Sequence, residues 1–188
     1  NGLEASRFSP RSVQRAMSII FQDYGRYQMT ARENIAISDL SGLQDDAALT
    51  RAGARAGANE FVADLPGGLD TMLGRMFEGG RQLSGGQWQR LALSRLYFRD
   101  ASVIVFDEPT AALDAQAEFE AIGALREQVH DRIAVLISHR FSTVRLADTI
   151  VVLEGGRTIE AGSHEQLLEL DGVYANLFKL QARGYVSA

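Results

Sequence analysis

Residues 83–108 read LSGGQWQRLALSRLYFRDASVIVFDE, a helix that runs into a short apolar strand. Ser84 stands where a helix N-cap belongs. Trp88, Leu91, Ala92 and Leu96 then recur at i, i+3, i+4 spacing, the buried stripe of a helix that runs to about Arg99. Residues 103–106 (VIVF) are a continuous apolar run too short for a typical helix. Such a run suggests a strand buried on both faces, as in a parallel sheet. Helix into buried strand is the step from which α/β cores are built.

The flanks extend this pattern. Residues 16–21 (AMSIIF) read as a strand ending at Gln22. From about Thr30 to Leu65 the chain is mostly helical, with turn signals at Ser41-Gly42 and Pro66-Gly67-Gly68. Residues 69–83 read as a loop, with glycines at 74, 79 and 80. Downstream, Phe119, Ile122, Leu125 and Val129 mark one face of a helix, and residues 133–137 (IAVLI) a second buried strand. Residues 149–153 and 157–161 flank Gly155-Gly156, a hairpin signal. Ser163 and Gln166 have the spacing of a capping box, Asp171-Gly172 breaks that helix, and a last amphipathic helix carries Tyr174, Leu177, Phe178 and Leu180. The expected organisation is an α/β core at about 1–29 and 100–188, with a helical insertion at about 30–99.

Composition narrows the function classes. The chain has 188 residues, 46% hydrophobic and 23% charged, which is ordinary for a globular domain. A net charge of -5 argues against a nucleic-acid surface, which shows a basic footprint. Cysteine is absent, so a disulfide scaffold is excluded. No apolar run approaches the ~18 residues of a transmembrane helix. The first residues are not a signal peptide, and the lack of an initial Met fits a chain that starts partway through a domain. Lys179 is the sole lysine.

Two strings carry chemistry. In Leu83-Ser84-Gly85-Gly86-Gln87, two glycines after a capping serine leave the backbone N–H groups of residues 84–86 bare at a helix start. The helix dipole is positive there, so this is a ready anion site. Twenty residues beyond Gln87, Asp107-Glu108-Pro109 follows the apolar strand. Ligands of open α/β sheets sit beyond the carboxyl ends of strands. Two carboxylates at such a place can divide labour, Asp107 toward Mg²⁺ and Glu108 toward an attacking water. For an isolated Asp-Glu the alternative is a solvated turn with the aspartate as a local cap.

Taken together, LSGGQ, VIVFDEPT at 103–110, AALD at 111–114 and ISHR at 137–140 resemble the ATP-binding cassette (ABC) ATPase family, in its order and spacing. The resemblance implies a P-loop NTPase core of RecA-like type with an inserted signature-bearing helical subdomain, and ATP and Mg²⁺ as cofactors. It implies that Gln22 is the Q-loop glutamine, a nucleotide- and Mg²⁺-binding residue that reports nucleotide state to a membrane domain. Ser84, Gly85, Gly86 and Gln87 would form the signature, facing the γ-phosphate of an ATP held by a second subunit. Asp107 would be the Walker B aspartate on Mg²⁺, Glu108 the catalytic base, Asp114 part of the D-loop and His139 the switch histidine. The implied partners are a second nucleotide-binding domain, paired head to tail, and a transmembrane domain. The implied location is the cytoplasmic face of the cell membrane.

Two departures stand out. Ala111 replaces the serine that usually opens the D-loop. No G-x-x-x-x-G-K-S/T occurs anywhere, so the phosphate loop of the cis ATP site is absent from these residues. The chain thus resembles a domain cut before its Q-loop region, inactive alone. The family's phosphate-loop strand is expected beside residues 103–106, so that strand should have an open flank. GSHEQLL at 162–168, GVYANLF at 172–178, and QDYGRY at 22–27 with TARENI at 30–35 are similar to the exporter branch. In that branch Tyr24, Arg26 and Tyr27 would be exposed to coupling helices, and Glu78 would contact them. Soluble DNA-repair relatives place a long coiled coil between Q-loop and signature, and no sustained heptad lies there. The remaining alternative is a non-catalytic half-site or regulatory partner of a complete ABC ATPase.

Overall fold

The computed structural model describes residues 3–108 and 132–186. They divide into two compact units, one holding the described residues up to 108 together with 132–135, the other beginning at 136. Each is considered by itself.

In the first unit, α1 (Pro10–Ala16) leads into β1 (Met17–Ile20). Four helices follow: α2 (Ala31–Ala36), α3 (Asp46–Arg55), α4 (Asn59–Ala63) and α5 (Gly85–Phe98). The chain then enters β2 (Val103–Asp107), and β3 (Ile133–Ile137) completes a sheet of order β1-β2-β3. β1 and β2 are parallel, with Ser18 opposite Ile104 and Ile20 opposite Phe106. All four of these side chains are buried, so they define the covered face of the sheet.

The helices start where the sequence supplies caps. Thr30 and Glu33 form a capping box at α2, and Asp45 caps α3 through the Ala48 N–H. Trp88, Leu91 and Leu96 of α5 are at most 2% exposed, and Ile35, Leu49, Leu73 and Ile104 share that burial. Helices α2 and α3 pack on α5, and α5 packs on β1. Arg32 joins α2 to Asp46 at the start of α3 and to Asp70 at 2.7 Å.

Two expectations fail. β2 is not buried on both faces: Ile104 and Phe106 are buried while Val103 and Val105 are half-buried. In β3, Ile133 and Val135 are exposed. An all-apolar strand becomes doubly buried only when layers cover both faces, and the described residues supply that cover on one. Nor does β2 have an open flank, because β1 and β3 lie on either side of it. The strand edges left open in this sheet belong to its outer strands.

The second unit contains α6 (Phe141–Val144), the antiparallel pair β4 (Ile150–Glu154) and β5 (Arg157–Gly162), α7 (His164–Glu169) and α8 (Val173–Val186). Ser163 and Gln166 form the expected capping box. Its core is Ile150, Leu167 and Tyr174, with Phe141 and Val144 packed against them. Glu160 of β5 accepts from the Val173 and Tyr174 N–H groups at 2.6 and 3.0 Å, so a strand carboxylate satisfies the start of α8. Lys179 pairs with Asp171.

Candidate functional site

The parallel register of β1 and β2 determines what meets at their carboxyl ends. Ile20 lies opposite Phe106, so Gln22 and Asp107-Glu108 leave the sheet at the same end. That end is where open α/β sheets bind ligands. Asp107 closes β2 and is half-buried, while Gln22 is exposed. Glu108 has φ 46°, left-handed backbone that a glutamate adopts at a cost of order 1 kcal/mol. A strained non-glycine residue at a strand end is a mark of selected geometry.

The signature segment begins α5. Ser84 Oγ accepts from the Gln87 N–H at 3.2 Å, and Gln87 Oε1 accepts from the Ser84 N–H at 2.9 Å. This reciprocal capping box corrects the expectation that the N–H groups of residues 84–86 are all bare, because Gln87 occupies that of Ser84. Among the described residues, the Gly85 and Gly86 N–H groups have no protein acceptor. The box was legible as Ser-x-x-Gln, the same signal as at Ser163.

A Cβ added at Gly85 or Gly86 would meet nothing within 4 Å, and neither glycine has a positive φ. The local fold therefore does not need glycine at either position. In a helix, glycine is less favourable than alanine by up to ~1 kcal/mol. The space before two unbonded donors at the positive end of a 14-residue helix fits an anion approaching the backbone closely. That donor set suits the terminal phosphate of ATP. Asp107 and Gln22 offer oxygen donors suited to Mg²⁺, although among the described residues no group of three or more His, Cys, Asp or Glu side chains gathers around a common point.

The structure links the two places through residues whose role was not read from the sequence. The Tyr24 hydroxyl donates to the Gly85 carbonyl at 3.2 Å. Arg95, on α5, donates to the carbonyls of Gly25 (2.6 Å) and Asn34 (3.0 Å) and to Asn34 Oδ1 (2.7 Å). Its guanidinium lies 4.7 Å from the centre of the Tyr27 ring. Burial pushes Arg95 down to about 10, which still leaves it cationic at neutral pH. Tyr24 and Tyr27 are thus not simply surface aromatics, since each is engaged by the signature helix. Arg26 and Glu78 are exposed.

His139 is exposed and lies between β3 and α6 in the second unit. Asp114, and Ala111 with it, lie outside the described residues, as does the helix expected at 119–129. No helix among the described residues is long and apolar enough to cross a membrane.

Known proteins resemble this chain along most of its length. Residues 2–111 match the family model described as ABC transporter. The chain is 37% identical over 187 residues to an ATP-dependent lipid A-core flippase of Legionella pneumophila (strain Lens), covering 100% of this chain and 31% of that protein. It is 39% identical over 176 residues to the nisin transport ATP-binding protein NisT of Lactococcus lactis, covering 94% and 29%. Among solved structures it is similar to a bacterial Atm1-family ABC exporter with ATP bound, with TM-score 0.77 and 36% identity over 92% of this chain and 29% of that one. The chain therefore spans about a third of the length of these relatives.

Proposed function

Because this chain belongs to the ABC transporter family, we propose that it acts in the ATP-binding and ATP-hydrolysing part of an exporter, coupling turnover to movement of cargo across a membrane. The observation that carries the proposal is the start of α5. Among the described residues two glycine N–H groups there have no protein acceptor, and a Cβ at either glycine would meet nothing within 4 Å. Of the described residues in the first unit, about 30–99 form the signature-bearing subdomain, and the segments before and after it belong to the α/β core. The partners are a second such domain, paired head to tail, and a transmembrane domain; nucleic acid is not a partner. The place of action is the cytoplasmic face of the membrane.

Asp107 and Gln22, at the carboxyl ends of neighbouring parallel strands, would hold Mg²⁺. The ion would neutralise phosphate charge there. Glu108, which follows Asp107 with a left-handed backbone, accepts the proton of the attacking water. The Gly85 and Gly86 N–H groups, with the Ser84 hydroxyl, donate to the γ-phosphate of a nucleotide held by the partner domain, and Gln87 keeps that turn rigid. His139 is assigned the role of the switch histidine, a donor to a γ-phosphate, and Asp114 is assigned to the D-loop that meets a second domain.

Glu108→Gln, in a domain that includes a phosphate loop, should keep ATP binding and lower hydrolysis by ~10²-fold or more. Turnover within about twofold of wild type would remove Glu108 from the role. The signature assignment has its own test, in which an intact partner domain supplies the nucleotide. Mixing this chain with a hydrolysis-deficient intact domain should give ATP-dependent association that Ser84→Arg abolishes. Association indifferent to ATP or to Ser84→Arg would count against it.

A further inference from the structure

We propose that Tyr24 is a positioning residue for the phosphate-facing amide of Gly86, acting through the Gly85 carbonyl. The inference rests on the assignment of Ser84–Gly86 to a γ-phosphate. The carbonyl of Gly85 and the N–H of Gly86 are two ends of one planar peptide group. Whatever fixes that carbonyl also fixes the direction of that N–H. The Tyr24 hydroxyl donates to the Gly85 oxygen across 61 residues of sequence, at 3.2 Å. A carbonyl oxygen has two lone pairs, so this bond adds to the helix's own bonding. A donor on the oxygen also polarises the peptide and strengthens its N–H as a donor in turn.

The tyrosine is itself held in place. The next residue, Gly25, receives Arg95 Nη1 on its carbonyl at 2.6 Å. Arg26 lies over the Tyr24 ring, 6.0 Å from its centre. The segment that follows Gln22 is therefore fastened to α5 at two points, at the helix start through Tyr24 and farther along through Arg95. Burial alone does not force this choice of acceptor, since Tyr24 is only half-buried and water could serve its hydroxyl. A shift of the Gln22 segment would consequently reach the Gly86 N–H through one side chain.

The test uses the assembled transporter carrying this domain, with three side chains at position 24 ordered by donor strength: phenylalanine, tyrosine and a ring-fluorinated tyrosine. Tyr24→Phe should lower kcat/KM for ATP about three- to tenfold, the size of one neutral hydrogen bond. The fluorinated tyrosine should raise it. ADP, which has no γ-phosphate, should bind all three forms equally. Values of kcat/KM within about 1.5-fold across the series, or an ADP affinity that falls in parallel, would overturn the proposal. Ser84→Arg separates the two levels of argument: if it leaves turnover intact, the γ-phosphate assignment fails first. If it abolishes turnover while Tyr24→Phe is silent, only the role of Tyr24 fails.

Discussion

Replacing Gly86 by alanine should stabilise the fold and damage its function. Gly86 lies in the first turn of α5 with no positive φ, and a Cβ there meets nothing within 4 Å. Where alanine can adopt the native backbone, removing glycine's freedom from the unfolded chain contributes about 0.4–1 kcal/mol. For a domain of this size that corresponds to a rise of roughly 1–4 °C in Tm. The same methyl group occupies the space through which a phosphate must reach the amide, so ATP-driven pairing should weaken. Thermal melting and ATP-dependent association, measured on the same variant, are the paired assays. A lower Tm would mean that the local backbone needs glycine after all. A higher Tm with undiminished association would mean that the space serves no ligand.

Arg95→Met should cost about 2–4 kcal/mol, read as a lower urea midpoint at unchanged slope, because it strips the donor from Asn34 Oδ1, a fully buried residue. A loss under about 1 kcal/mol would show that water replaces the guanidinium. The Thr30 N–H and hydroxyl hold the Glu33 carboxyl below its ordinary value of 4.5, so its contribution is complete above that pH and is lost as pH falls through the lowered folded value. Glu33→Gln should flatten stability against pH in that acid window, and an unchanged acid limb would refute the assignment. The 188-residue chain should show no saturable, Mg²⁺-dependent binding of a fluorescent ATP analogue at micromolar concentration, since it has no phosphate-loop lysine or glycines.

What the sequence disclosed was local. Ser84 as an N-cap, the apolar stripe of α5 and the strand before Asp107 are set by neighbours within a few residues, and all three stand in the structure. The failures involve layers and distant partners. Nothing in residues 133–137 says whether a second layer covers them, and Ile133 and Val135 are exposed. The positions of β1 and β3 on either side of β2 follow from topology, which a run of valine and isoleucine does not encode. Arg95 reads as an ordinary polar residue of an amphipathic helix, while its acceptors lie 61 and 70 residues away. The Gln87 side chain on the Ser84 N–H could have been read from Ser-x-x-Gln, and it reduces the bare amides to those of Gly85 and Gly86.

The carboxylate of Glu160 bears on how the second unit forms. Its two oxygens take the first two amides of α8, and a Cβ at Gly172 would meet Glu160 Oε1 at 2.2 Å, so strand and helix start are fitted closely. A helix of 14 residues is marginal alone in water, and this one draws its start from outside itself. Once β5 has paired with β4, that carboxylate is in place to cap α8, a contribution of about 1 kcal/mol. The two sides are only 13 residues apart, so joining them carries a small loop-closure cost. During synthesis the hairpin leaves the ribosome first and offers the cap as α8 emerges. The segment from β4 to α8 is thereby tied into one local cooperative unit.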